Sequence, residues 1–174
     1  MPSEIVRPNS NINSGWGGGG GFGLVDDVVT NPTAGSQVDY AYQSGDLSSG
    51  AAQQWGCQAP SGSGTISSAR LWIYGRADGN TDGYISQVRI RLNGTWYTGT
   101  PSTSFGSGLW SWIDCIFTGS YGEISGSAPA VELTYYGANG DAELYVDVVY
   151  LDITYVAAAS PSINPAAMLA LLGV

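Results

Sequence analysis

The chain has 174 residues, 11% of them charged, with five Lys+Arg, no His and fourteen Asp+Glu for a formal net charge of −9. This length suits one domain, and the acidic balance argues against nucleic acid and anionic membranes as partners. Without His, the commonest general base, the Ser-His-Asp arrangement and the commonest metal ligand are missing, so the sequence is read as non-enzymatic.

Glycine is abundant at 26 residues, and Tyr (11) and Trp (6) are well represented, a mix that suits short strands joined by tight turns. In chain order, Glu4-Ile5-Val6-Arg7-Pro8 predicts a short strand stopped by proline. Asn9 to Ser14 reads as a polar loop leading to Gly15-Trp16 and five glycines, Gly17 to Gly21. No GK[ST] follows that run, so a phosphate cradle is rejected in favour of a surface loop or a close backbone approach. Leu24 to Val29 is apolar around Asp26-Asp27, Asn31-Pro32 signals a turn, and Gln37 to Gln43 reads as a strand.

Thr65 to Arg76 alternates Ala69, Leu71 and Ile73 with Arg70, Trp72 and Tyr74, the period of a half-buried strand. Tyr84 to Asn93 repeats it with Ile85, Val88, Ile90 and Leu92, and Asn93-Gly94 marks a hairpin into Thr95-Trp96-Tyr97. Asn93-Gly94-Thr95 also forms a glycosylation sequon, read here as a turn only. Leu109 to Thr118 places Ile113, Cys115 and Phe117 on one face. Ala130 to Tyr136 places Val131, Leu133 and Tyr135. In Ala142 to Val156 the inward set starts as Leu144, Val146, Val148 and continues as Val149, Leu151, Ile153, Tyr155. That phase switch predicts a β-bulge near Val148-Val149. Eight or so strands indicate an all-β fold over residues 1–156, an antiparallel β-sandwich of jelly-roll type.

Residues 157–174 form a C-terminal arm. Asn164-Pro165 followed by Ala166 to Leu172 and Gly173 has the capping pattern of a two-turn helix, apolar all round and too short to persist alone in water. Pro165, Met168, Leu169, Leu171 and Leu172 are therefore expected to dock on a neighbouring subunit of a homo-oligomer, with docking on the chain's own domain as the alternative. The opening Met1-Pro2-Ser3-Glu4 carries no cationic-then-apolar leader, and no apolar run approaches the ~20 residues of a membrane span. Cytoplasmic synthesis without a signal peptide is the expectation.

Trp72, Tyr74, Trp110, Trp112 and Tyr136 fall opposite the apolar faces. Several outward aromatics suggest a protein interface or a sugar platform, with an inverted face assignment as the bland alternative. Asp78, Asn80 and Asp82 match half of a Ca²⁺ loop, but Arg89 stands where its bidentate Glu belongs, so a plain turn is preferred and no cofactor is assigned. The pairs Asp26-Asp27, Glu132 with Glu143, and Asp147 with Asp152 lack a glycosidase spacing on one strand face. Cys57 and Cys115 read as buried thiols, or else as one disulfide.

Arg7-Pro8-Asn9-Ser10, Ser14-Gly15-Trp16, Leu24 to Val29, Asp39-Tyr40, Arg70 to Arg76 and Val146 to Ile153 together resemble a concanavalin-like jelly-roll domain of tailed-phage virion structural proteins. The resemblance covers residues 4–156 through packing motifs and leaves the arm outside. It implies a capsid decoration or head accessory subunit in the virion, made in the host cytoplasm, with itself and other virion proteins as partners. A carbohydrate-binding, lectin-like module that takes a glycan and a bacterial surface filament subunit are the alternatives.

Overall fold

A computed structural model describes residues 1–16, 25, 40–44, 47–78, 83–105, 108–119, 121–124, 126–137 and 142–158. Every regular element in it is a strand: β1 (Ser3–Val6), β2 (Pro8–Ser14), β3 (Ala41–Ser44), β4 (Leu47–Cys57), β5 (Gly64–Asp78), β6 (Gly83–Leu92), β7 (Thr95–Gly99), β8 (Ser111–Phe117), β9 (Ala130–Gly137) and β10 (Glu143–Ala157). One sheet runs β1-β10-β5-β8, with β3 also on β10, and the other runs β2-β4-β9-β6-β7.

All pairings are antiparallel and nest from the outside in: β3 with β10, β4 with β9, β5 with β8 and β6 with β7. That nesting is the winding of a jelly roll, so the chain is an antiparallel β-sandwich of that type. Strand alternation explains the core. Leu71 and Ile73 of β5, Ile113 and Cys115 of β8, Val131, Leu133 and Tyr135 of β9, and Val149, Leu151 and Ile153 of β10 are all buried between the sheets. Burying each large apolar side chain contributes about 1.5–3 kcal/mol.

Two segments depart from expectation. Asn9 to Ser14 is strand β2 and not a loop, because Pro8 opens it on the second sheet after the chain crosses over at Arg7. Proline is tolerated at the first position of an edge strand. Strand β4 carries no period-2 signal in Ser48-Ser49-Gly50-Ala51-Ala52, yet Gln53, Trp55 and Cys57 are buried from it. Trp16 lies edge-on to Trp55 at 5.9 Å and donates its indole N–H to the Ala51 carbonyl at 3.0 Å. The backbone of Gly15 presses so closely on β4 that a Cβ there would fall 2.0 Å from the Ala52 oxygen, which only glycine permits.

The predicted hairpin is present. Asn93 (φ 50) and Gly94 (φ 83) both adopt the left-handed backbone that a two-residue primed turn requires. Asn93 also donates its side-chain amide to the Tyr121 and Glu123 carbonyls at 2.8 and 2.6 Å, which pins the loop before β9.

The bulge in β10 falls between Val146 and Val148, slightly before the expected place, with a second irregularity between Thr154 and Tyr155. Val148 consequently leaves the inward set and stands opposite Tyr74 on the outer side, still buried. One edge of β10 is covered in pieces: β1 pairs with Leu151–Thr154, β3 with Glu143–Val146, and the Val25 carbonyl accepts from the Val149 amide between them at 3.0 Å.

Cys57 and Cys115 are free and buried. Burial pushes the Cys57 thiol up to about 12, while burial and the nearby Asp114 charge push Cys115 up to about 11. Thiol-reactive reagents are expected to label neither cysteine at neutral pH until the chain unfolds, when both react, as read by mass spectrometry.

Glu4 fastens β1 to the loop before β5. Its carboxylate accepts from the Ser61 amide, the Ser61 hydroxyl and the Gly62 amide at 2.8–3.0 Å. Burial raises its pKa, but these hydrogen bonds outweigh that effect and hold it below the usual 4.5. A lowered folded-state value adds stability above the unfolded pKa and loses it as pH falls through the folded one. Glu4→Gln is therefore expected to melt a few degrees below the parent at pH 7 and at the parent's temperature near pH 2.

Candidate functional site: an aromatic face on the first sheet

Because Leu71 and Ile73 point inward, Arg70, Trp72, Tyr74 and Arg76 line the outer face of β5. Register brings neighbours to each. Across β8, Trp112 lies beside Tyr74 and Asp114 beside Trp72. Across β10, Tyr150 lies beside Trp72, Asp152 beside Arg70 and Tyr145 beside Arg76. Tyr42 of β3 pairs with Tyr145, and Tyr40 and Trp110 precede β3 and β8.

The rings form one connected row. Tyr42 and Tyr40 each lie 4.9 Å from Tyr145, and Tyr40 is 6.4 Å from Trp110. Trp110 stacks on Tyr74 at 5.4 Å, Tyr74 meets Trp112 at 5.0 Å, and Trp112 stands edge-on to Trp72 at 6.3 Å. Trp72 stacks on Tyr150 at 6.2 Å, which closes back on Trp112 at 5.8 Å. Such pairs add ~0.5–1.5 kcal/mol each beyond area burial, so the rings hold one another in place. At the ends of β8, Leu109 and Ile116 are 71% and 61% exposed, which leaves this face bordered by open apolar surface.

Two arginines lie over the rings. The Arg70 guanidinium is 4.0 Å from the Trp72 centroid, and that of Arg76 is 4.6 Å from Tyr145 and 5.4 Å from Trp110. Each is also tied to a carboxylate, Arg70 to Asp114 at 2.7 Å and Arg76 to Asp78 at 3.0 Å. Burial raises the Asp114 pKa, but the Ser102 hydroxyl and Arg70 together lower it below the usual carboxylate value. Glu143 accepts from the Tyr42 and Tyr145 hydroxyls at 3.0 and 2.7 Å.

Three buried polar atoms here have no hydrogen-bond partner: Arg76 Nε, Trp110 Nε1 and Asp152 Oδ1. Burial raises the Asp152 pKa, opposed by Arg70. All three atoms are shielded from solvent in this arrangement.

Of the five aromatics expected to point outward, Trp72, Tyr74, Trp110 and Trp112 meet on this face. Tyr136 does not. It lies on the outer side of the second sheet, 5.0 Å from Tyr84. There Glu132 accepts from Arg89 at 3.0 Å and also from Gln54, while Arg89 and Arg91 lie over Trp96. Glu132 and Glu143 therefore sit on different sheets. Sequence reasoning missed Tyr40, Tyr42, Tyr145 and Tyr150; the bulge was the signal that puts Tyr145 and Tyr150, five residues apart, on one side.

Asp78 ends β5 in its ion pair with Arg76, and Asn80 and Asp82 lie outside the described residues, as do Asp26, Asp27, Pro165, Met168, Leu169, Leu171 and Leu172. Among the described residues, no group of three His, Cys, Asp or Glu side chains is placed to hold a metal ion.

No family model matches the chain, and no curated protein matches it. Among solved structures it is similar to a family 16 carbohydrate binding module, at 19% identity over 64% of this chain and 74% of that one, with a TM-score of 0.38. The CBM22-1 xylan-binding domain of Paenibacillus barcinonensis Xyn10C is 10% identical over 72% and 86%, with a TM-score of 0.34. The Agl-KA catalytic domain is 18% identical over 71% of this chain and 23% of that one, with a TM-score of 0.33.

Burial raises the hydroxyl pKa of Tyr74, Tyr145 and Tyr150, reinforced by Asp147, Glu143 and Asp152 respectively. A raised value keeps the phenol neutral to higher pH. Ultraviolet titration of the folded chain is expected to show these tyrosines ionising after the solvent-exposed ones, and Asp152→Asn should bring Tyr150 earlier.

Proposed function

We propose that the chain is a non-catalytic glycan-binding module whose ligand lies on the outer face of the sheet β3-β10-β5-β8. The observation that carries this reading is the unbroken row of eight rings from Tyr42 to Tyr150, crossed by arginines and carboxylates. Sugar rings have apolar C–H faces that suit aromatic surface and hydroxyls that both donate and accept. Arg70, Arg76 and the carboxylates beside the rings supply polar groups for such hydroxyls.

A virion subunit that docks on a capsid through this face is the second reading, since Trp, Tyr and Arg also anchor protein interfaces. Its oligomerising arm, residues 157–174, falls almost wholly outside the described residues.

A glycan array followed by titration calorimetry tests the proposal. Trp112 is central in the row, so Trp112→Ala is expected to weaken binding by about tenfold or more. Tyr136→Ala, on the opposite sheet, should leave affinity unchanged. An array without hits, or equal losses in both folded variants, overturns the reading.

A further inference from the structure

Resting on that glycan-binding reading, we infer that the aromatic face selects an uncharged polysaccharide and rejects acidic ones. The outer side of the sheet carries four carboxylates, Asp78, Asp114, Glu143 and Asp152, against two guanidinium groups, Arg70 and Arg76. Both cations are already spent. Arg70 is bound to Asp114 and Arg76 to Asp78, and both lie against aromatic rings. An arriving carboxylate or sulfate would have to displace one of these partners, or sit beside acidic groups with no compensating charge.

The whole-chain balance of −9 extends the same repulsion beyond the site. Asp152 sharpens it locally. It lies opposite Arg70, whose guanidinium is already held by Asp114, so it adds negative charge beside that pair. What remains favourable is the exchange of water for sugar hydroxyls and C–H faces. The arginine N–H groups not used in the ion pairs act as neutralised donors.

The test uses matched ligands: an uncharged polysaccharide taken from the array hits and its carboxymethyl derivative, each titrated against the intact chain. At about 10 mM salt the Debye length is ~30 Å, and at about 1 M it is ~3 Å. The derivative is expected to bind about tenfold or more weakly at low salt, with the gap closing at high salt. Asp152→Asn should narrow the low-salt gap while the fold, checked by circular dichroism, is retained. A derivative that binds as tightly as the parent at low salt, or a gap that salt does not change, overturns the inference and leaves glycan binding standing. Failure of every uncharged polysaccharide to bind overturns both.

Discussion

Strands β5 and β10 are each fifteen residues long and pair antiparallel from Gly64–Ala157 to Asp78–Glu143. This pairing is the axis of the molecule. Its inner side supplies Leu71, Ile73, Leu151 and Ile153 to the core, and its outer side sets Trp72 against Tyr150 and Arg70 against Asp152. Because side chains alternate strictly along a strand, a slip of one residue would exchange the two sets. The core and the aromatic face are thus fixed by one register. The bulge at Val146–Val148 is the single adjustment that lets Tyr145 share a side with Tyr150, and it leaves Val148 as a buried support opposite Tyr74.

The aromatic face gains rigidity from contacts that also occupy much of its chemistry. Ion pairs at partly exposed positions contribute little to stability, roughly 0–1 kcal/mol, and Arg70 is 42% exposed. Their value lies in position: each carboxylate orients a guanidinium over a ring and cancels its charge.

The fold was legible where alternation is strong. β5, β6, β8, β9 and β10 all announce themselves by period 2, and Asn93-Gly94 announces its turn. β2 and β4 were not legible, because Asn9 to Ser14 and Ser48 to Ala52 are small and polar and hold their places through pairing with neighbours. Their signal is tertiary. Alternation in β5 and β8 gave the outward side of Trp72, Tyr74, Trp110 and Trp112, and the pairing of β5 with β8 puts them on one face. Tyr136 could not be separated from them, since alternation gives the side of a strand and never which sheet it joins. Tyr40 and Tyr42 were hidden for a related reason: β3 is four residues long, and only its register with Glu143–Val146 brings them to the site.

The outer edge of β10 is shared by β1, the Val25 carbonyl and β3, three separate pieces of chain laid end to end. A long apolar strand with a bare edge is a template for pairing with another molecule, and here that template is closed piecemeal. β1 is four residues held by its ladder and by Glu4. Loss or displacement of residues 3–6 would expose the backbone of Leu151 to Thr154. The vacated row of N–H and C=O groups would be a longer edge open to another strand, whereas β1 presents an edge of only four residues.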